Sequence, residues 1–310
     1  MAQFLTSWLG IVKPTVGVGT WKWHEEIVRL HLVPAFGTLA IGKLSPQQVQ
    51  TLYANKLNAG LSTTTVRHIH AVLHRALETA VALDLVTRNV ADRAKAPRMR
   101  RHEMEALTPE QSRALLQAVA VDPLEALYVL AITTGMRQGE LLGLKWRDVD
   151  LDAAWLRIRE TVRKLHGEFV FTPPKTERSR RGVALTSMAV AALRRHQVRQ
   201  EEAKATAGLA WQVNDFVFPD TIGGPMEGRH VLRHYFRPML RSAGLPPIRF
   251  HDLRHTTATL LLGQGIHPKV VAEMLGHTTI GITLDTYSHV LPEMQREATR
   301  VLDRLLSPDE

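Results

Sequence analysis

The chain has 310 residues, with 39 Lys plus Arg against 30 Asp plus Glu, a formal net charge of +9 and a pI near 10.1, which favours a polyanionic partner. At about 150 residues per domain the length predicts two domains, and 45% hydrophobic with 22% charged residues supplies a core and excludes disorder over most of the chain. The absence of cysteine excludes a disulfide scaffold, a thiol nucleophile and thiolate-held zinc or iron–sulfur sites, while the opening MAQFLTSWLG lacks a secretory pattern and no apolar run is long enough to span a bilayer, so a soluble intracellular protein is expected.

Residues 1–96 read as helices joined by short loops. Phe4, Leu5, Trp8 and Leu9 have helical spacing. Thr20 is placed to N-cap a helix with Trp23, Ile27 and Leu30 on its apolar face. Ser45-Pro46-Gln47-Gln48 is a capping-box start with Pro in the first helical position. Ser62 can cap a longer helix whose buried stripe is Val66, Ile69, Leu73, Ala76, Leu77 and Ala80, leaving Arg67, His68, His70, His74 and Arg75 on the other face. The polar, basic stretch APRMRRHEME, residues 96–105, then reads as a linker, bounded at 97–107, before Thr108-Pro109-Glu110-Gln111 opens a second domain with another capping box. Residues 1–107 carry a net charge of +6 and 108–310 a net +3, so the smaller part is the more basic.

The second domain, 108–310, starts with helices near Pro109–Ala120 and Leu124–Thr134. Strands are predicted at 155–159, at 168–172 after a turn at His166-Gly167, and at 181–185 beyond the turn Pro173-Pro174-Lys175-Thr176. From Ser187 the pattern is helical again, including Pro268–Leu275 with Gly276 as its left-handed terminator. The predicted fold class is mainly α: a helical N-terminal domain, then an α+β domain with a small antiparallel sheet.

Four segments can carry chemistry. In TGMRQGE, Arg137 stands where one helix ends and another begins, a position from which a rigid guanidinium fork can hold a phosphate; a surface pair with Glu140 is the plainer alternative. In HDLRH, His251 and Arg254 are three apart and share a helix side. An Arg–His pair can clamp a phosphate and exchange a proton. His251 and His255 are also spaced for zinc, but Asp252 stands where a zinc-hydrolase helix needs Glu, and a histidine satisfied inside the domain is a further alternative. His277 in LGHTT follows a helix C-terminus. Tyr287 in DTYSHV is one of only four tyrosines and lies in a polar setting, where cations would activate its phenol against a phosphate.

Arg137, Lys175, His251, Arg254, His277 and Tyr287, carried by TGMRQGE, PPKTERSRR, HDLRH, LGHTT and DTYSHV, resemble in order and context the catalytic set of the tyrosine recombinases, the phage-integrase family. The resemblance spans about residues 1–306. It implies a SAM-like core-binding domain at 1–96 and a catalytic domain at 108–310. It also implies a site-specific recombinase that integrates or excises a phage or mobile element through a 3′-phosphotyrosyl intermediate and a Holliday junction. Tyr287 would be the nucleophile, Arg137 and Arg254 the phosphate clamp, Lys175 the general acid, and His251 a base or hydrogen-bond donor. His277 would orient a phosphate oxygen, with Glu140 supporting the site.

No metal, ATP or other cofactor is implied. The partners implied are double-stranded attachment-site DNA, three further copies in a tetramer on DNA from a monomer in solution, and a directionality factor. The setting implied is bacterial cytoplasm, nucleoid-associated when bound to DNA. A closing helix near 293–306, with Met294, Ala298, Val301, Leu302 and Leu305 on one face, would dock on a neighbouring protomer. Arg67, His68, His70 and Arg75 would meet DNA from the first domain, and Arg178, Arg180 and Arg181 would steer it toward Lys175. Many relatives place an extra arm-binding domain ahead of the core-binding region, which here starts almost at Met1. The other readings are a type IB topoisomerase, a DNA-binding regulator without catalysis, and a zinc hydrolase.

Overall fold

A computed structural model describes residues 1–98, 105–165, 167–173, 180–277, 279–286, 299–300 and 306. The chain divides into two units, Met1–Glu103 and Met104–Glu310.

The first unit is helical: α1 (Ala2–Val12), α2 (Val18–Ile27), α3 (Val33–Phe36), α4 (Pro46–Asn58) and α5 (Thr63–Ala82). The capping box at Ser45 is formed, with the Gln48 N–H donating to Ser45 Oγ at 3.3 Å and the Ser45 N–H donating to Gln48 Oε1 at 2.9 Å. Ser62 Oγ accepts from the Thr65 N–H at 3.1 Å and starts α5. All six apolar positions expected on α5 are buried, and all but Ala80 join Val72 in one cluster with Leu5, Trp8, Leu32 and Tyr53.

Helix α2 starts earlier than expected. Gly17, not Thr20, is its N-cap, because Val18 and Gly19 already take helical geometry. Leu30, expected on the apolar face, is exposed, because a π-turn at Val28–Leu32 shifts the helical phase just before Pro34. A second π-turn, Leu232–Phe236, likewise precedes Pro238. Proline lacks the N–H that would close the regular bond four residues back, and a widened turn accommodates the unused carbonyl.

The second unit runs α6 (Pro109–Ala118), α7 (Glu125–Thr134), α8 (Gln138–Leu142), β1 (Val149–Asp150), β2 (Trp155–Arg157), β3 (Thr161–Leu165), β4 (Glu168–Thr172), β5 (Gly182–Ala184), α9 (Ser187–Ala207), α10 (Gly228–Val231), α11 (Arg237–Ser242), α12 (Asp252–Gly263), α13 (Pro268–Leu275) and α14 (Ile280–Thr286). Helix α7 is the axis of this unit. Residues 125–132 and Thr134 are all buried, so it is apolar on every side rather than on one stripe. Its one buried acid, Glu125, lies in the first turn and accepts from Arg195 and Arg199 of α9.

The expected strands form, but not as one sheet. The three strands β1, β2 and β5 are antiparallel in the order β1-β2-β5, while β3 and β4 form a separate hairpin with Thr161 opposite Thr172 and Leu165 opposite Glu168. The strand expected over 155–159 therefore ends at Arg157, and the chain turns into β3, a separate strand that the expected set lacks. Among the described residues no helix is long and apolar enough to cross a membrane.

Candidate active site

Three junctions of the second unit converge. The first is the end of α7. Gly135 closes it in the left-handed conformation, φ +63°, and the next helix begins with Arg137 as N-cap. Glu140 is the third residue of α8. One carboxylate oxygen accepts the Arg137 N–H at 2.9 Å and the other accepts Arg137 Nη1 at 2.8 Å. The Glu140 side chain is 1% exposed and that of Arg137 is 38% exposed, so the acid lies beneath while the guanidinium keeps an open edge. Burial pushes the Glu140 carboxyl up, but Arg181 and both the backbone and the guanidinium of Arg137 outweigh it, and it stays below the usual carboxylate range.

The second junction is the start of α12. Asp252, in its first turn, is clamped by Arg249, whose N–H donates at 2.8 Å and whose Nε and Nη2 donate at 3.0 and 2.7 Å. That carboxylate is saturated and is not available as a base. His251 sits immediately ahead of the helix, with its ring edge-on to His255 at 5.0 Å between centroids. Arg254 is buried, and its Nη1 donates to the Gly135 carbonyl at 2.8 Å, fastening α12 to the end of α7. A second fastening lies one turn on, where Thr257 Oγ1 donates to the Ile132 carbonyl at 2.8 Å.

The third junction is the end of α13. Gly276 takes φ +67°, as its expected role as terminator requires, and His277 follows. The His277 ring is fixed by a 2.7 Å hydrogen bond between Nδ1 and Thr283 Oγ1 of α14. Leu275 lies against Gly135, so the first and third junctions touch.

Of the residues singled out in the sequence, Arg137, Glu140, His251, Arg254 and His277 are brought into one electrostatic neighbourhood. Lys175, Arg178 and Tyr287 lie outside the described residues, as do Met294, Ala298, Val301, Leu302 and Leu305 of the closing helix. Arg180 is exposed. Arg181 requires a correction. The expectation that it steers DNA meets a side chain turned inward and only 7% exposed, because Nε donates to the Met274 carbonyl at 2.6 Å and Nη2 to Glu140 at 3.3 Å. Thr283, which orients His277, carried no motif that could have flagged it.

In the first unit, Arg67, His68 and Arg75 are exposed on α5. The His68 ring abuts Trp23 edge-on at 4.8 Å, and Arg67 Nη1 donates to the Pro97 carbonyl at 3.4 Å. His70 is half-buried, with Nδ1 2.7 Å from the Tyr53 hydroxyl, so its bonding is largely internal. Among the described residues the one group of three His, Asp or Glu side chains close enough to share an ion is His74, Glu78 and Asp92, also in this unit; no third ligand joins His251 and His255.

Both site histidines are strongly perturbed. His251 keeps an accessible edge, yet the protein packed around it, with His255, Arg254 and Arg137, pushes its pKa down to about 4. His277 is likewise pushed down to about 4, by burial and then by Arg254, Arg137, Arg181 and His255. A group with a lowered folded-state pKa binds fewer protons folded than unfolded, and an unfolded histidine titrates near 6.5. Stability is therefore full above about pH 6.5 and falls as pH drops through that value toward the folded pKa of about 4. Urea melts of the free protein between pH 7 and pH 4.5 should show this decline, and His277→Gln should make it shallower. An equal slope in that variant would refute the attribution. A phosphate anion placed among these cations would reverse the repulsion and raise both pKa values toward neutrality.

Residues 105–294 match the phage integrase family, and residues 1–58 match the phage integrase N-terminal SAM-like domain. The chain is 32% identical over 328 residues to a tyrosine recombinase XerC-like protein of Caldanaerobacter subterraneus subsp. tengcongensis, covering 94% of this chain and 83% of that protein. It is 29% identical over 287 residues to the ICEBs1 integrase of Bacillus subtilis, covering 91% of this chain and 77% of that one. Among solved structures, the Tn1549 transposon integrase in complex with a circular intermediate DNA superposes with a TM-score of 0.80 at 20% identity, over 97% of this chain and 98% of that one. A lambda integrase dimer bound to a COC′ core site superposes with a TM-score of 0.68 at 19% identity, over 93% and 95% of the two chains. At these identities the structural likeness speaks for the fold.

Proposed function

The chain belongs to the phage integrase family of tyrosine recombinases, and on that premise we propose that it inserts or removes a phage or mobile element by a phosphotyrosyl reaction at the site built above. The observation that carries the assignment is the convergence of Arg137, His251, Arg254 and His277 from three separate helix junctions on one neighbourhood. Nothing in ordinary packing requires two arginines and two histidines to be gathered this way. Like charges in close quarters cost stability, and an anion repays that cost.

In this reading the Tyr287 hydroxyl oxygen attacks the DNA phosphorus. The bond from phosphorus to the 5′-oxygen breaks, and a 3′-phosphotyrosyl link replaces it. The phenolic proton passes to His251, which is neutral at pH 7 and gains basicity once the phosphate is bound. Lys175 gives a proton to the departing 5′-oxygen. Arg137 and Arg254 hold the non-bridging oxygens, whose charge grows in the transition state, and the neutral His277 ring donates a hydrogen bond to one of them. Because one phosphodiester is exchanged for another ester of similar energy, religation by a different 5′-hydroxyl needs no nucleotide triphosphate.

The finer points extend the same reading. The unit ending near Glu103 would be the core-binding domain, touching DNA through Arg67, His68 and Arg75, with Arg178 and Arg180 adding charge beside Lys175. A monomer in solution would assemble into a tetramer on two attachment sites, each closing helix near 293–306 docking on a neighbour. A directionality factor would set the preferred outcome, and the setting would be the bacterial cytoplasm.

The test is covalent trapping. Supercoiled DNA carrying the ends of the native element is mixed with the full chain in chelator, quenched with detergent and examined for a protein–DNA adduct. Wild type should form the adduct and Tyr287→Phe should form none. An adduct that persists in Tyr287→Phe would overturn the assignment of the nucleophile. No adduct from wild type, alongside salt-sensitive DNA binding, would favour a DNA-binding protein without catalysis.

A further inference from the structure

We propose that Arg181 is a positioning residue for strand cleavage: its buried guanidinium balances Glu140, so that the charge of Arg137 stays available to the DNA phosphate, and it braces that pair against the corner that carries His277. The inference rests on the catalytic reading above.

Three observations carry it. Arg181 bridges elements that are remote in sequence, since Nη2 reaches Glu140 of α8 and Nε reaches the Met274 carbonyl of α13. Its guanidinium also passes directly under the α13 terminator: a Cβ on Gly276 would stand 2.7 Å from Arg181 Nη1. Finally, Nη1 is buried and has no hydrogen-bond partner among the described residues. An arginine serving only to join two helices would be expected to spend that edge or leave it in solvent.

The formal charges then decide the role. Glu140 faces two guanidiniums, Arg137 and Arg181, so the trio carries a net +1. Without Arg181 the trio is neutral, and the Arg137 fork is drawn wholly onto the buried carboxylate. Lysine could keep the charge, but a single ammonium cannot reach both the carboxylate and the Met274 carbonyl as the planar fork does. Arg181 also adds to the positive surroundings of His277, which Arg254 and Arg137 face from α12 and α8, His255 from α12 and Thr283 from α14.

The experiment is single-turnover adduct formation on a nicked synthetic duplex of the element's end, run for Arg181→Met, Arg181→Lys, Glu140→Gln and the Glu140→Gln/Arg181→Met double variant. DNA affinity and thermal midpoint are followed alongside. Arg181→Met should slow cleavage about 100-fold with DNA affinity little changed. Arg181→Lys should fall between it and wild type. The double variant restores the net +1 and removes the unbalanced buried carboxylate, so it should regain about tenfold over Arg181→Met. A purely structural role makes the opposite prediction, with the double variant slower than either single one and the rates tracking the thermal midpoints. That result, or wild-type rates in Arg181→Met, would overturn the proposal while leaving the catalytic reading intact. No adduct from wild type itself would overturn both.

Discussion

Arg254→Lys should reduce single-turnover cleavage by about 100- to 1,000-fold while leaving DNA affinity at fixed salt within a few-fold of wild type. The asymmetry follows from what the guanidinium already does before DNA arrives. It is 2% exposed, and Nη1 is committed to the Gly135 carbonyl. That bond sets the plane of the fork before DNA arrives. A lysine at this position has one nitrogen on a flexible stem and must choose between the carbonyl and the phosphate. Overall affinity for DNA comes from many phosphate contacts, so one misaligned cation buried in the site changes it little. The charge that grows on the pentacoordinate phosphate has no such reserve. Binding and cleavage measured on the same duplex check the split, and a parallel loss in both would mean that Arg254 acts as a general phosphate contact.

What could be read from the sequence was what is decided locally. The capping boxes at Ser45 and Thr108 are four-residue devices, and both form because a hydroxyl, a proline and a glutamine at fixed offsets satisfy the same backbone groups in any setting. The α5 stripe and the span Pro268–Leu275 with Gly276 behind it were legible for the same reason. What escaped the reading depends on distant partners. The β3 segment Thr161–Leu165 has one fully buried residue, Val162, and gains its strand character from β4 rather than from its own pattern. Leu30 falls on the apolar face of a regular helix, and Pro34 removes that regularity. Arg181 stands in a basic run, which on sequence grounds reads as solvated. Its two partners lie 41 and 93 residues away, and only the fold shows that the arginine points inward. Within the site, the residue types were visible, but the carbonyl of Gly135 and the hydroxyl of Thr283 as orienting groups were not.

Gly135→Ala should destabilise the second unit by about 2–5 kcal/mol, combining the left-handed penalty for a residue with a Cβ and the strain of overpacking, and should abolish cleavage more completely than the stability loss alone explains. A Cβ built at this position would lie 2.3 Å from Leu275 Cδ2, well inside contact distance, and 3.6 Å from Arg254 Cγ. Leu275 is fully buried and precedes the Gly276–His277 corner, so a shift of its side chain in this close-packed setting presses on α13. The same glycine accepts the Arg254 bond and leads within two residues to Arg137. One added methyl therefore displaces parts of all three junctions together. Leu275→Ala in the same chain separates the two sources of damage. It removes the colliding atom and leaves the φ of +63° to be borne by alanine alone. The double variant should recover cleavage relative to Gly135→Ala even though Leu275→Ala opens a cavity that costs stability by itself. Urea denaturation and single-turnover cleavage on the four proteins close this cycle. If the double variant cleaves no faster than Gly135→Ala, the glycine acts through its backbone conformation alone and not by keeping α13 in place.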